Sequence, residues 1–191
     1  SIFLIFQANR CSKFARGIML GINGYILHEE IYKGTFIEVF RATRVCDNKP
    51  VILKRPHSEY PSPKELALLQ HEYDLLKNLH IPNVIQVYDF IKSAQQPILV
   101  FEDMAGMSLE SYLARNPLEL DHFFSIALQL VDIITELHKQ NIIHKDIKPG
   151  NIIIDPTTLK IKITDLSISC QLTEQIQEYV NTNLLEGTYA Y

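Results

Sequence analysis

Residues 142–167 read IIHKDIKPGNIIIDPTTLKIKITDLS, and this stretch decides the fold. The apolar run Ile152–Ile154 and the alternating Leu159-Lys160-Ile161-Lys162-Ile163 predict two antiparallel strands, joined by the turn-forming Asp155-Pro156-Thr157-Thr158. Pairing those strands brings Asn151 and Asp165, at the open ends of the hairpin, side by side. An amide oxygen and a carboxylate fixed by rigid strands make a hard oxygen site suited to Mg2+, which keeps several waters and takes its remaining ligands from phosphates. Asp146, a candidate base, lies five residues before Asn151 on the loop leading into that site.

Taken whole, His144-Lys145-Asp146-Ile147-Lys148-Pro149-Gly150-Asn151 resembles the catalytic loop H-R-D-L-x-x-x-N of the protein kinases, and Asp165-Leu166-Ser167 stands where D-F-G belongs. The resemblance implies that Asp146 accepts the proton of an attacking hydroxyl, while Asn151 and Asp165 hold Mg2+ on the phosphates of ATP. Lys148 resembles the lysine of the serine/threonine branch that steadies the transferred phosphoryl group. In Leu185-Glu186-Gly187-Thr188-Tyr189-Ala190-Tyr191, which is similar to the end of an activation segment, Thr188 matches the threonine that bonds the catalytic aspartate and lysine.

One loop of this kind leaves open an ordinary hairpin with solvated polar ends, or a small-molecule phosphotransferase. Further stretches, in the family's order, narrow the choice. Val51-Ile52-Leu53-Lys54 resembles V-A-I-K, the strand of the phosphate-binding lysine. The segment after it predicts an amphipathic helix over residues 62–79: Ser62 as N-cap, Pro63 at the first helical position and Glu65 completing a capping box. Leu69, Leu76 and Leu79 fall on one face together with Glu65 and Glu72. The cap explains Glu65. A carboxylate inside an apolar stripe is costly unless a cation meets it, so Glu72 is paired with Lys54. Ile98-Leu99-Val100-Phe101-Glu102-Asp103-Met104 is similar to the strand and hinge against which adenine lies, with Glu102 and Met104 offering backbone groups and Phe101 guarding the deeper pocket. Ser108 falls near the expected ribose position. Residues 121–140 predict a long helix capped by Asp121, with Phe124, Ala127, Val131, Ile134 and His138 as its core stripe and His138 packed.

The chain also departs from the family pattern. Against G-x-G-x-x-G-x-V, residues 31–39 read IYKGTFIEV, keeping Gly34 and Val39 but placing Tyr32 and Ile37 where glycines belong. Glycines let backbone approach phosphate closely, so this loop is expected to cover the phosphates less tightly. Ile52 narrows the adenine pocket, Ser167 restricts the backbone beside Asp165, and Lys145 lacks the bidentate fork of the usual arginine. The sequence stops short of an A-P-E element, so the second lobe is expected to be incomplete and part of the long helix's apolar stripe exposed.

Composition agrees with a globular chain: 191 residues, 47% hydrophobic, 21% charged. A net charge of −4 leaves no basic footprint for nucleic acid. Cys11, Cys46 and Cys170 form no C-x-x-C, which suits reduced thiols in the cytoplasm. The apolar run of residues 2–6 falls far short of the roughly 20 residues of a membrane span, and Arg10, Lys13 and Arg16 follow it, where a signal peptide places its charges before. Residues 1–18 are read as an extension ahead of Met19, residues 25–104 as a first lobe with hinge, and residues 105–191 as a partial second lobe. Gly24-Tyr25-Ile26-Leu27 also resembles the amino-terminal kinase modules of large bacterial sensor proteins, which implies further domains downstream.

The expectation is therefore an α+β, two-lobed, protein-kinase-like fold that uses ATP and Mg2+ to phosphorylate serine or threonine of a protein substrate. The alternatives are a pseudokinase or regulatory binding module, favoured by the eroded glycine loop, and a small-molecule phosphotransferase, disfavoured by Lys148.

Overall fold

The computed structural model describes residues 22–92 and 96–171. The expectations for Cys11, Met19, the leading extension and Thr188 lie outside the described residues.

Three long strands open the fold: β1 (Tyr25–Lys33), β2 (Ile37–Arg44) and β3 (Lys49–Pro56). After α1 (Pro63–Leu76) come β4 (Val87–Ile91) and β5 (Ile98–Glu102), giving an antiparallel sheet in the order β1-β2-β3-β5-β4. Alternation along β3 divides its two faces. Val51 and Leu53 are fully buried with Leu27, Phe40, Ala42, Ile98 and Val100, while Ile52 packs on the opposite side against the larger core. Lys54 shares the Ile52 face, and Val39 and Arg41 share it on β2, because direct antiparallel partners project together.

The second lobe begins with β6 (Met107–Ser108), α2 (Leu109–Leu113) and α3 (Leu120–Lys139), then β7 (Ile142–Ile143), a 3-10 turn (Pro149–Asn151), β8 (Ile152–Ile154), β9 (Ile161–Ile163) and β10 (Cys170–Gln171). The hairpin forms as its pattern required: β8 pairs β9 antiparallel, Ile152 opposite Ile163, with β6 on the other side of β8. Asp155 closes the turn by accepting from the Thr157 N–H at 2.9 Å and the Thr158 hydroxyl at 2.7 Å. Gly106 is required where the chain crosses between lobes. A Cβ there would stand 2.6 Å from the Ile154 carbonyl oxygen, a backbone atom that cannot swing away.

Two main-chain bonds also cross from the first lobe to β9. The Ile163 N–H donates to the Asn83 carbonyl and the Ile163 carbonyl accepts from Ile85 N–H, both at 2.9 Å, so the connection out of α1 is stitched to the strand that leads to Asp165. Around this seam the core runs from Leu69 and Leu76 of α1 through Leu99 and Phe101 to Ile133, Leu137, Ile154, Ile163 and Leu166.

Helix α1 starts as predicted. The Ser62 hydroxyl accepts from Glu65 N–H at 3.3 Å and the Glu65 carboxylate accepts from Ser62 N–H at 2.7 Å, a complete capping box. It ends at Leu76, so Leu79 is buried from the following turn rather than from the helix. Helix α3 corrects its sequence reading in two ways. Its N-cap is Glu119, without a side-chain bond, and Asp121 sits inside the first turn, where a negative charge favours the helix dipole. Its buried face is Ile126, Ile133 and Leu137; Phe124 is 53% and Val131 59% exposed, and His138 is exposed, so the expected stripe is not core and His138 is not packed. The helix is apolar on two faces, and β7 and β9 take the one centred on Ile133. Among the described residues no helix is long and apolar enough to cross a membrane.

Candidate active site

Lys54 reaches from the middle of β3 into the space between the lobes and meets two carboxylates. Its Nζ lies 2.8 Å from Glu72 Oε2 and 2.9 Å from Asp165 Oδ1. Glu72 is fully buried and Lys54 7% exposed, so neither charge has water to solvate it. Burial disfavours the Lys54 ammonium, but Glu72 and Asp165 outweigh it and hold its pKa above the ordinary lysine range. Burial pushes the Glu72 carboxyl up, against the pull of Lys54. Burial acts the same way on Asp165, yet Lys54 and the Ser167 hydroxyl reverse it, and its pKa falls to about 2. Asp165 is a fixed anion at neutral pH.

Ser167 contributes in a way the sequence did not reveal: its hydroxyl donates to Asp165 Oδ1 at 2.8 Å. Asp165 also has a left-handed backbone, φ 64°, as does Lys145 beside the other key aspartate, φ 67°. Asp tolerates that region and lysine does so at a cost, and strained backbone of this kind clusters at functional sites.

The second group of residues forms around the 3-10 turn. Asn151 Nδ2 donates to the Asp146 carbonyl and to Asp146 Oδ2, each at 2.9 Å. Lys148 Nζ lies 2.8 Å from the same Oδ2. Thr164 N–H donates to the Asn151 carbonyl at 3.0 Å, which sets the amide beside the approach to Asp165. Because the Asn151 nitrogen is committed to Asp146, its Oδ1 is the atom left for another partner. Two oxygens, Asn151 Oδ1 and Asp165 Oδ2, therefore accept no hydrogen bond among the described residues. This donor set fits Mg2+ chemically. Among the described residues no cluster of three or more His, Cys, Asp or Glu could hold a metal by protein ligands alone, so an ion here would complete its shell with oxygens from outside the protein, waters or phosphates.

His144 braces this loop from below. Its Nε2 donates to the Thr164 carbonyl at 3.1 Å, its Nδ1 accepts from Asp146 N–H at 3.3 Å, and its carbonyl accepts from the buried Ser169 hydroxyl at 3.2 Å. His71 of α1 donates to the Ser169 carbonyl at 2.7 Å, tying that helix to the segment after Asp165.

At the hinge, each acidic side chain is taken by a cation from a different lobe. Arg41 of β2 donates to Asp103 at 2.8 Å and to the Gly106 carbonyl at 2.9 Å, while Lys162 of β9 pairs with Glu102 at 2.5 Å. Glu102 thus uses its side chain structurally, besides the backbone groups for which it was singled out. Met104 packs at the edge of the core on the same segment. Ser108 is the N-cap of α2, accepting from Ser111 N–H at 3.1 Å, which accounts for its residue type without a ribose. Val39 lies opposite Lys54 across β2 and β3, and Gly34 N–H closes the loop before it by donating to Ile37 at 2.9 Å. The structure therefore joins Lys54, Glu72 and Asp165 at the cleft between the lobes and Asp146, Lys148 and Asn151 in an adjoining group; Val39 pairs with Lys54 across the sheet, Gly34 lies in the turn before β2, and Glu102, Met104 and Ser108 lie along the crossing between the lobes.

Comparison with known proteins gives the same grouping. The chain is 29% identical to the serine/threonine-protein kinase PrkC of Bacillus subtilis over 79% of its own length and 24% of that protein's. It is 28% identical to the carbon catabolite-derepressing protein kinase of Candida glabrata over 88% of the chain and 27% of the relative. It is 32% identical to the serine/threonine-protein kinase cds1 of Schizosaccharomyces pombe over 74% and 33%, respectively. The chain thus spans about a quarter to a third of the length of these relatives. The protein kinase domain model matches residues 25–191, and with the cleft just described this shows that the chain belongs to the protein kinase domain family.

Proposed function

We propose that this protein transfers the γ-phosphoryl group of ATP to serine or threonine hydroxyls of a protein substrate. The observation that carries the reading is the double engagement of Lys54, by Glu72 at 2.8 Å and by Asp165 at 2.9 Å, because it brings β3, α1 and the β9 end together around one buried cation. A lysine held charged and immobile in this way is suited to bind phosphate as a point charge.

Asn151 Oδ1 and Asp165 Oδ2 would hold Mg2+, which when bound neutralises phosphate charge as it develops. Asp146, fixed by the Asn151 amide, takes the proton of the attacking hydroxyl as the oxygen bonds to phosphorus and the bond to the leaving ADP breaks. Lys148, 2.8 Å from Asp146, stabilises the charge on the transferred group. The hinge backbone of Glu102 and Met104 receives adenine, with Ser108 near the ribose. The position of Lys148 favours protein serine/threonine substrates over small molecules. Cys46 and Cys170 are free thiols, which fits a reducing, cytoplasmic setting, and the lengths of the relatives fit further signalling domains elsewhere in the protein.

The roles separate experimentally. Asp146→Asn removes the proton acceptor but no proposed metal ligand, so it abolishes transfer and leaves Mg-ATP affinity near wild type. Asp165→Asn weakens both, measured by nucleotide titration beside a radiolabelled-phosphate assay. Equal loss of ATP binding in both variants would contradict this division of labour.

A further inference from the structure

Tyr32 occupies a position in the phosphate-covering loop where the family pattern has glycine, and its side chain is turned toward the cleft. In β1, Glu29 pairs with Arg41 and Glu30 with Phe40, but a bulge then skips Ile31 and sets Tyr32 opposite Val39. Without that extra residue Ile31 would oppose Val39 and Tyr32 would project from the other face. As built, Tyr32, Val39 and Lys54 form a cross-strand row on the face from which Lys54 reaches Asp165.

The ring then folds over the loop. A Cβ on Gly34 would stand 2.6 Å from Tyr32 Oη and 2.8 Å from Cε1, so the phenol lies directly against the Gly34 main chain. Tyr32 is 55% exposed, and its hydroxyl makes no hydrogen bond among the described residues.

We propose that Tyr32 is a side-chain ligand of the triphosphate, its phenol O–H donating to a phosphate oxygen, and that Gly34 is required because only glycine leaves room for the ring. This deepens the nucleotide-binding reading above and rests on it. A loop with Tyr32 and Ile37 in place of glycines holds its backbone back from the phosphates, and a phenol spans the gap that backbone N–H groups would otherwise close. A donor to a charged phosphate oxygen is among the stronger hydrogen bonds a neutral side chain makes. Gly34→Ala acts on the same contact, because its methyl group meets the movable end of the tyrosine and displaces it.

Calorimetric titration with Mg-ATP and with adenosine tests this on wild type, Tyr32→Phe, Gly34→Ala, the double variant and Tyr32→Gly. The expected result is about tenfold weaker Mg-ATP binding in Tyr32→Phe and Gly34→Ala, unchanged adenosine binding, and a double variant no worse than either single one. Melting temperature should be unaltered by Tyr32→Phe, since the ring is exposed. Tyr32→Phe binding Mg-ATP as wild type does, losing adenosine in equal measure, or Tyr32→Gly binding Mg-ATP more tightly, would overturn the inference alone. A wild-type protein that binds no adenine nucleotide would overturn the nucleotide-binding reading as well.

Discussion

His144 shows how a single side chain fixes the geometry around it. A carbonyl only accepts and an N–H only donates, so a ring that bonds the Thr164 carbonyl through Nε2 and the Asp146 N–H through Nδ1 must be neutral. Protonating Nδ1 would set two donors against each other. Burial lowers the pKa accordingly, with the Thr164 carbonyl bond opposing. Below about pH 6.5 the unfolded chain therefore takes up a proton that the folded one resists, and stability falls with pH in that window. Asp165, held at about 2, adds a contribution that is complete above about pH 4 and lost as pH falls toward 2. An NMR titration should place His144 below ordinary histidine, and a value above about 6.5 would show that the neutral tautomer is wrong. At this scale Lys54, Glu72, Asp146, Asn151 and Asp165 were legible because motif spacing and an out-of-place carboxylate named them. Ser167 as a partner of Asp165 was not, because its bond goes with the left-handed backbone at Asp165, and Arg41 at the hinge and Tyr32 over Gly34 were not, because those contacts depend on strand register or a bulge that no local pattern encodes.

Among the elements, α1 carries two glutamates that sequence alone places on one face and that the fold treats differently. Glu65 is spent on the cap at an exposed position, where its loss costs less than that of a buried charge. Glu72 is buried against Lys54, and removing one partner of such a pair typically costs about 3–5 kcal/mol; the retained Asp165 contact puts this case at the lower end. Glu72→Ala should lower the melting temperature clearly and weaken ATP binding, whereas Glu65→Ala should give only the capping loss. Small, equal shifts for both in thermal melts would mean that the buried pair contributes little. Helix α3 makes the complementary point. Two apolar faces gave the sequence no means to choose between Val131 and Ile133, and only packing against β7 and β9 selects the latter. Ile133→Ala should cost about 2–5 kcal/mol, while Val131→Glu stays within about 0.5 kcal/mol. Denaturant unfolding would reverse the assignment if Val131→Glu proved the more damaging.

For the molecule as a whole, the cleft is the product of seams between the lobes. Asn83 and Ile85 are bonded to Ile163, Gly106 lies against Ile154, and Arg41 and Lys162 grip adjacent hinge carboxylates from opposite sides. These contacts hold the β3–α1 half of the site in register with the β8–β9 half, where Lys54 meets Asp165. The two-lobed order was legible from the sequence of motifs, because each motif belongs to a known place in the chain; the seams were not, since they join residues 48 or more positions apart through main chain and long cations. The central claim is that this cleft moves phosphate onto protein hydroxyls. Its most direct measurement is phosphoamino acid analysis after incubating the protein and a mixed protein substrate with Mg2+ and γ-labelled ATP. The account predicts label on serine or threonine with wild type and none with Asp146→Asn; saturable Mg-ATP binding with no phosphoserine or phosphothreonine formed, or label that persists in Asp146→Asn, would contradict it.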